Sequence, residues 1–428
     1  MNDTNRMLAG LLVAAVFAAP AAAVPAPVAA PSVSDDPTAK VYLKDGRVIE
    51  GAILREIDGY IYLKVGIGEM RIKPSDYTKI ERRGGTASAA PVDLGEEKGY
   101  RTDPIVRADG VYRGAVISLE ETVGTHMTAT PLRDAIDELE TDEIDILVLK
   151  VNSGGGMLIE IEKMSNVIHE EFKPRFHTVA WIESAISAAA MTSYTCNDIY
   201  FMPKGNFGAA TGWFQRGGSI GLVEGRSLEE ALYLMERIAE RGEHSPELFR
   251  SMQVLEAPIS YDRDEATGEV TIYADTSGQH ILNDGSDILT LNSTEALHVN
   301  LSRGTAETLD EIERSIIANN PGMNIEDIVW VGDVEETELY PITEAERIQR
   351  EWREEADFIE TRLVELTNKY SQARANAQNV SAFVQRAERY LGELERYAKR
   401  HVNLAFTRNL SDEFFRRERE FLAELRRR

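Results

Sequence analysis

Asn152-Ser153-Gly154-Gly155-Gly156 and, one parallel-strand crossover later, Glu183-Ser184-Ala185-Ile186-Ser187-Ala188-Ala189-Ala190-Met191 are the two pieces that decide the fold. The first is preceded by an apolar run, Ile146 to Val151, and followed by Ile161, Met164, Val167 and Ile168 at helical spacing. That pattern predicts a strand, a glycine turn and a helix. A second apolar run, Thr178 to Ile182, leads into the small residues Ser187 to Ala190, then a helix toward Cys196 and a third short strand, Ile199 to Met202. Both strand-to-helix turns are therefore expected side by side in one parallel sheet.

Such a pairing suits acyl transfer. A serine at the first turn of a helix can present its hydroxyl beside free backbone amides, and a neighbouring glycine turn can aim further amides at a developing oxyanion. Glycine is required there because a side chain would block close approach of the backbone. The plainer reading is a parallel sheet with ordinary glycine turns and a serine tolerated among alanines for packing.

Asn152-Ser153-Gly154-Gly155-Gly156 resembles the N-S-P-G-G turn of the Clp protease proteolytic subunit and of signal peptide peptidase A, with Gly154 where those families carry proline. Ala185 to Ala190, followed by Cys196-Asn197-Asp198-Ile199-Tyr200, resembles the nucleophile helix and following strand of NfeD-type serine proteases. Gly208-Ala209-Ala210-Thr211 and Asp287 to Leu297 are similar to later landmarks of the same superfamily, the latter to its L-T-L-T-x-x-E-A segment. The resemblance spans residues 110 to 315 and implies a mixed α/β, ClpP/crotonase-like stacked β-β-α core. By it, Ser187 is the candidate nucleophile, and Gly155, Gly156 and the amide of Ala188 are oxyanion-hole candidates. Ser153 and Ser184 are expected to be turn and cap residues.

The general base departs from the pattern. NfeD-type relatives use a lysine roughly forty to fifty residues past the serine, whose pKa burial must lower. No lysine lies between Lys204 and Lys369 here, and no histidine between His177 and His244. The helix expected to carry the base, Ser227 to Arg241, offers Leu234, Met235 and Arg237, and an arginine keeps its proton. His244 and Lys204 remain as substitutes, each with a simpler reading as a helix-end residue and a solvated loop charge.

Around this core, residues 1–23 read as a secretory signal peptide with cleavage after Ala23, and 24–38 as a flexible segment. This implies an exported protein, periplasmic or extracellular. Residues 39–83 alternate in about five short strands punctuated by Asp45-Gly46 and Asp58-Gly59, the pattern of a small SH3-like or Sm-like barrel, either a docking module or a structural cap. A linker, 84–107, leads to the protease-type domain, 108–342. In it Ala115 to Leu119 is the expected first strand, Leu132 to Leu139 the first helix, and Glu120 and Glu121 a solvated carboxylate pair. Gly217 to Gly225 reads as a channel edge or lid. Residues 257–290, with Asp284-Gly285, suggest hairpins. Asp262, Asp264 and Glu265 fail as a calcium loop, because Ala266 and Tyr273 occupy ligand positions.

From 343 to 428 the chain turns charged and helical. Ile348, Trp352, Ala356, Ile359, Leu363, Leu366, Tyr370 and Ala373 form a coiled-coil-like stripe, with Phe383, Ala387, Tyr390, Leu394 and Tyr397 as the expected partner face of a fold-back. An oligomerisation or partner-binding role is expected for it, with the basic end, Arg426 to Arg428, a solvated helix end or a contact for an anionic surface. The net charge of −25 argues against nucleic acid as a partner. No cofactor or metal is expected, and the lone Cys196 permits no intramolecular disulfide. Two functions stand: an exported serine peptidase acting on peptide or protein substrates, forming homo-oligomers, or an inactive relative acting as a peptide-binding scaffold. Export and the position of the serine disfavour a crotonase-type acyl-CoA enzyme.

Overall fold

The computed structural model describes residues 38–44, 47–57, 60–65, 68–72, 77–83, 106–211, 213–216, 219–222, 226–377 and 381–427. The expected signal peptide, flexible segment, Asp-Gly turns and most of the linker fall outside them. The chain forms two units, Met1–Ser88 and Ala89–Arg428.

In the first unit, β1 (Thr38–Leu43), β2 (Val48–Ile57), β3 (Tyr60–Val65), β4 (Gly68–Ile72) and β5 (Tyr77–Arg83) make an antiparallel sheet in the order β4-β3-β2-β1-β5. Its core is Ala39, Val41, Leu63 and Ile72, with Leu43, Ile49 and Ile80 packed against it. Period-two alternation on β1 puts Ala39 and Val41 inside, as a half-buried strand requires.

The second unit opens with β6 (Val111–Val123), α1 (Ala129–Asp134), α2 (Ile136–Thr141), β7 (Ile146–Gly156), α3 (Leu158–Asn166), β8 (His177–Ile186), α4 (Ala188–Ser193), β9 (Asp198–Phe201) and β10 (Asn206–Gly208). There follow β11 (Trp213–Arg216), β12 (Ser219–Leu222), α5 (Arg226–Gly242), α6 (Pro246–Ser251), β13 (Ile259–Arg263), β14 (Val270–Tyr273), β15 (His280–Asn283), β16 (Thr290–Asn292), α7 (Ser293–His298), α8 (Leu309–Asn319) and β17 (Asp327–Trp330). The main sheet runs β16-β10-β8-β7-β6-β17, with β9 also on β8. All its pairings are parallel except β10 with β16.

Both faces of this sheet are covered. Leu147, Leu149 and Val151 meet Ile161, Met164 and Met191 on one side, while Ile146 and Val148 meet Tyr112, Val116, Trp181 and Ile316 on the other. Covered on both sides, a parallel strand reads as a near-continuous apolar run, which is why Ile146 to Val151 shows no alternation and is interrupted only by the buried, ion-paired Lys150.

Several local expectations change. The strand does not break at the glycines: β7 continues through Gly156, still paired to β6 at Val123. The expected single helix from Leu132 to Leu139 is two short helices meeting at Ala135, so that Leu132 and Leu139 both reach the core. Downstream of α3 the backbone widens into a π-helical turn, Val167–Phe172. Asp284-Gly285 leads out of β15 rather than joining a hairpin; the β13 to β14 turn is held instead by Asp264 Oδ1, which accepts from the amides of Ala266 and Thr267. Part of the expected lid is a two-stranded ribbon, β11 with β12, its Gly217 and Gly218 lying outside the described residues.

Four helices end the chain: α9 (Glu344–Ala377), α10 (Ser381–Arg400), α11 (Val402–Thr407) and α12 (Asp412–Arg427). The stripe Ala356, Ile359, Leu363, Leu366, Tyr370 and Ala373 is buried as expected. The facing stripe on α10 is Val384, Ala387, Leu391, Leu394 and Ala398, leaving Phe383, Tyr390 and Tyr397 only partly buried at its edge. On α10 the aliphatic side chains occupy the seam and the larger rings border it. The N-terminal part of α9 is anchored on the sheet by Glu346, fully buried, which accepts from the amide and hydroxyl of Ser118 at 2.7 and 2.6 Å. No described helix is long and apolar enough to cross a membrane.

Candidate functional site

β7 and β8 pair with Ser153 opposite Ala185, which brings their C-terminal ends together. Ser187 follows β8 and precedes α4 with φ 55° and ψ −124°. A non-glycine residue in this region carries backbone strain of about 1–3 kcal/mol. Two hydrogen bonds hold it: the Ser187 amide donates to Gly208 O at 2.8 Å, and its carbonyl accepts from Met191 N at 3.2 Å. Its side chain does not cap α4, so the hydroxyl is not spent on the role a serine most often plays at a helix start.

Gly155 lies directly against it. A Cβ added at Gly155 would fall 2.5 Å from Ser187 Cβ and 3.1 Å from Ala188 N, and the glycine's φ of 94° is itself one that side chains resist. The structure therefore brings Gly155, Ser187 and the Ala188 amide together. Gly155 N–H, however, donates to Ser153 Oγ at 3.1 Å, and Ser153 Oγ donates in turn to Glu121 O. Ser153 is thus the organiser of the turn, and the Gly155 amide is occupied. At Gly156 a Cβ would sit 2.1 Å from Val123 O, so a glycine there lets β7 close on β6. Ser184 Oγ donates to Asn206 Oδ1 at 2.9 Å, tying β8 to β10 rather than capping a helix.

His244 does not reach this place. His244 stacks edge-on against Tyr194 with ring centroids 4.9 Å apart, and Tyr194 is the C-cap of α4. At 1.5 Å per residue this is about 10 Å along the helix from Ser187. Burial first, then the nearby Lys173 charge, pushes its pKa down to about 4. Lys204 is exposed in the turn before β10. Arg237 of α5 pairs with Glu162 at 3.4 Å.

Other polar groups near the strand ends were not legible from spacing. Lys150, buried on β7, holds Glu183 at 2.6 Å and Glu120 at 3.6 Å. Glu120 and Glu121 are therefore not one solvated pair: Glu120 turns to Lys150, while Glu121, at φ 66°, turns to His126. Cys196 is buried, and burial pushes its thiol up to about 12, which leaves it unreactive.

No protein-family model matches the chain. Its sequence is similar to membrane protein NfeD1b of Bacillus subtilis (strain 168), 22% identical over 202 residues, covering 47% of this chain and 40% of that protein. The chain thus matches less than half the length of this curated relative. The match supports the NfeD-type resemblance read from the motifs. Among solved structures, the 1510-N membrane-bound stomatin-specific protease, in a serine-to-alanine mutant form, aligns at 11% identity and a TM-score of 0.39, over 52% of this chain and 98% of its own. The 1510-N membrane protease of Pyrococcus horikoshii, specific for a stomatin homolog, aligns at 12% identity and 0.33, over 51% and 91%.

Proposed function

We propose that residues 108–342 form a ClpP-like serine peptidase domain with Ser187 as its nucleophile. The observation that supports this most directly is the strained backbone of Ser187, wedged between Gly155 and Gly208 with its hydroxyl free of the capping role. Strain concentrates where geometry is functional, because a purely structural site would be cheaper with glycine.

On this reading Ser187 Oγ attacks the carbonyl carbon of an extended peptide. The Ala188 amide receives the oxyanion, the amine leaves, and water hydrolyses the acyl-enzyme. Gly155 keeps the space beside Ser187 open; its amide joins the oxyanion hole only when Ser153 releases it. Gly156 lets β7 close on β6, and its amide remains a candidate oxyanion donor. The proton acceptor is the missing part: His244 sits at the far end of α4, Arg237 pairs with Glu162, and Lys204 is an exposed loop charge. A neighbouring copy of the chain in a homo-oligomer is the source this reading requires for turnover.

That same displacement of the bases favours a second reading, a catalytically silent peptide-binding scaffold. Steady-state cleavage of a quenched fluorescent peptide library, with Ser187→Ala as control, separates the two: Ser187-dependent turnover supports the peptidase, and saturable peptide binding without turnover supports the scaffold. In either case residues 1–23 act as an export signal, the five-stranded module closes into a small docking barrel, and the C-terminal helices mediate assembly or membrane-surface contact.

A further inference from the structure

At the end of β6 three potential metal ligands from three parts of the chain converge. His126 Nε2 lies 3.2 Å from Glu121 Oε2 and 3.1 Å from Asp357 Oδ1, the latter from α9. All three ligand atoms fall within 4.8 Å of one another. His126 Nδ1 is 3.0 Å from Thr125 Oγ1, whose own hydroxyl can donate to Thr122 O at 3.3 Å. In the tautomer in which that hydroxyl proton is used there, Thr125 accepts from Nδ1–H and the Nε2 lone pair faces the two carboxylates; in the other, Nε2–H donates to one of them.

Three acceptors facing one point repel unless a cation sits among them. A proton on Nε2 supplies one short hydrogen bond to share between two carboxylates. A divalent metal satisfies all three at once. Zinc bound at 2.0–2.2 Å by nitrogen and oxygen has tetrahedral ligand separations of about 3.3–3.5 Å. The separations of 3.1 and 3.2 Å are within a small adjustment of that. His126 is 11% exposed, while Glu121 and Asp357 are 52% and 68% exposed, leaving a fourth position open to water. Thr125 fixes the ring through its other nitrogen, as supporting groups around metal-bound histidines do.

The surroundings carry a second feature. Trp352 Nε1 of α9 donates to Thr125 O at 3.0 Å, and the ring of His401 packs on Trp352 at 4.5 Å. His401 is 3% exposed, and its Nε2 is buried without a hydrogen-bond partner. His401 thus lies one indole ring away from the Thr125 that supports His126.

We propose that Glu121, His126 and Asp357 form a site for a divalent transition metal, zinc being the best fit, which clamps α9 to the turn after β6. Through Ser153, which donates to Glu121 O and accepts from Gly155 N–H, the clamp also stiffens the turn that abuts Ser187. It needs no catalysis at Ser187 and stands whether or not the peptidase reading does.

The test is titration of the tag-free, chelator-treated full chain with zinc chloride by calorimetry, with cobalt(II) absorption spectra as a check on coordination. One zinc per chain is expected, with a rise in melting temperature and a loss of affinity of about tenfold or more in Asp357→Asn and His126→Gln. Asp357 is exposed on α9, so its asparagine variant tests the site even if the histidine variant folds poorly. No binding by the wild type, or binding unchanged in Asp357→Asn, would overturn the proposal and leave an imidazolium bridging two carboxylates.

Discussion

Gly155 and Ser187 come from different strands and touch: a single added methyl at Gly155 would fall 2.5 Å from Ser187 Cβ. Gly155→Ala must therefore displace either the serine or β7, and it also forces alanine into φ 94°. We expect a loss of about 2–4 kcal/mol in urea unfolding together with loss of any Ser187 reactivity. An alanine variant as stable as wild type would show that the two residues are not in contact.

The strain at Ser187 has its own signature. Ser187→Gly should be more stable than Ser187→Ala by about 1 kcal/mol or more, since only glycine adopts φ 55° freely. Equal midpoints in parallel denaturant titrations would mean no strain is stored there.

His244 is predicted to control acid stability and not catalysis. Its folded pKa of about 4 lies below the ordinary histidine value, so the neutral ring is favoured by folding. The stability this represents is complete above about pH 6.5 and is lost as pH falls toward 4, because the unfolded chain binds the proton first. His169, also held near 4 by burial, acts with the same sign. His244→Phe keeps a ring beside Tyr194 and should remove about 3 kcal/mol of the pH dependence between those limits. A variant with the wild-type pH profile of unfolding would contradict the burial of this ring. Ser187 labelling should be unchanged in it.

Glu346 pins α9 to the sheet. It is fully buried, bonded to Ser118 at two points and to Arg350 Nε at 2.7 Å. Removing one member of a buried charged network costs about 3–5 kcal/mol. Glu346→Ala should loosen α9 first, so limited proteolysis ought to cut in the α9 region faster while the main sheet survives. Uniform protection of α9 in the variant would mean the helices hold to the sheet by other contacts.

Much of this architecture was legible because the signals were physical. Ile146 to Val151 and Thr178 to Ile182 are apolar without alternation, which marks strands covered on both faces, and the glycine and alanine runs sit where backbones must approach. The α9 stripe reads directly from its three-and-four spacing. What spacing could not reveal depends on distant residues meeting. Glycines read as a strand break because nothing local shows that Gly156 is paired to Val123. Phe383 and Tyr390 read as a seam because their hydrophobicity outranks Val384 and Leu391, although the narrower residues fit between the helices. Within the site, Ser187 and Gly155 carried a motif, whereas the engagement of the Gly155 amide by Ser153 required the fold. His244 looked near in sequence and lies at the far end of α4. His126 and Asp357, 231 residues apart, leave no trace in sequence that they meet.

Whether Ser187 acts as a nucleophile is read out by labelling with a serine-directed fluorophosphonate. The purified chain is treated across a range of pH, and the modified residue is mapped by mass spectrometry with Ser187→Ala as control. Labelling at Ser187 is expected to rise with pH and to increase in the oligomer, where a neighbour supplies the base. Complete absence of labelling in both monomer and oligomer, under conditions where an active serine peptidase reacts fully, would contradict a nucleophilic Ser187 and leave a peptide-binding scaffold.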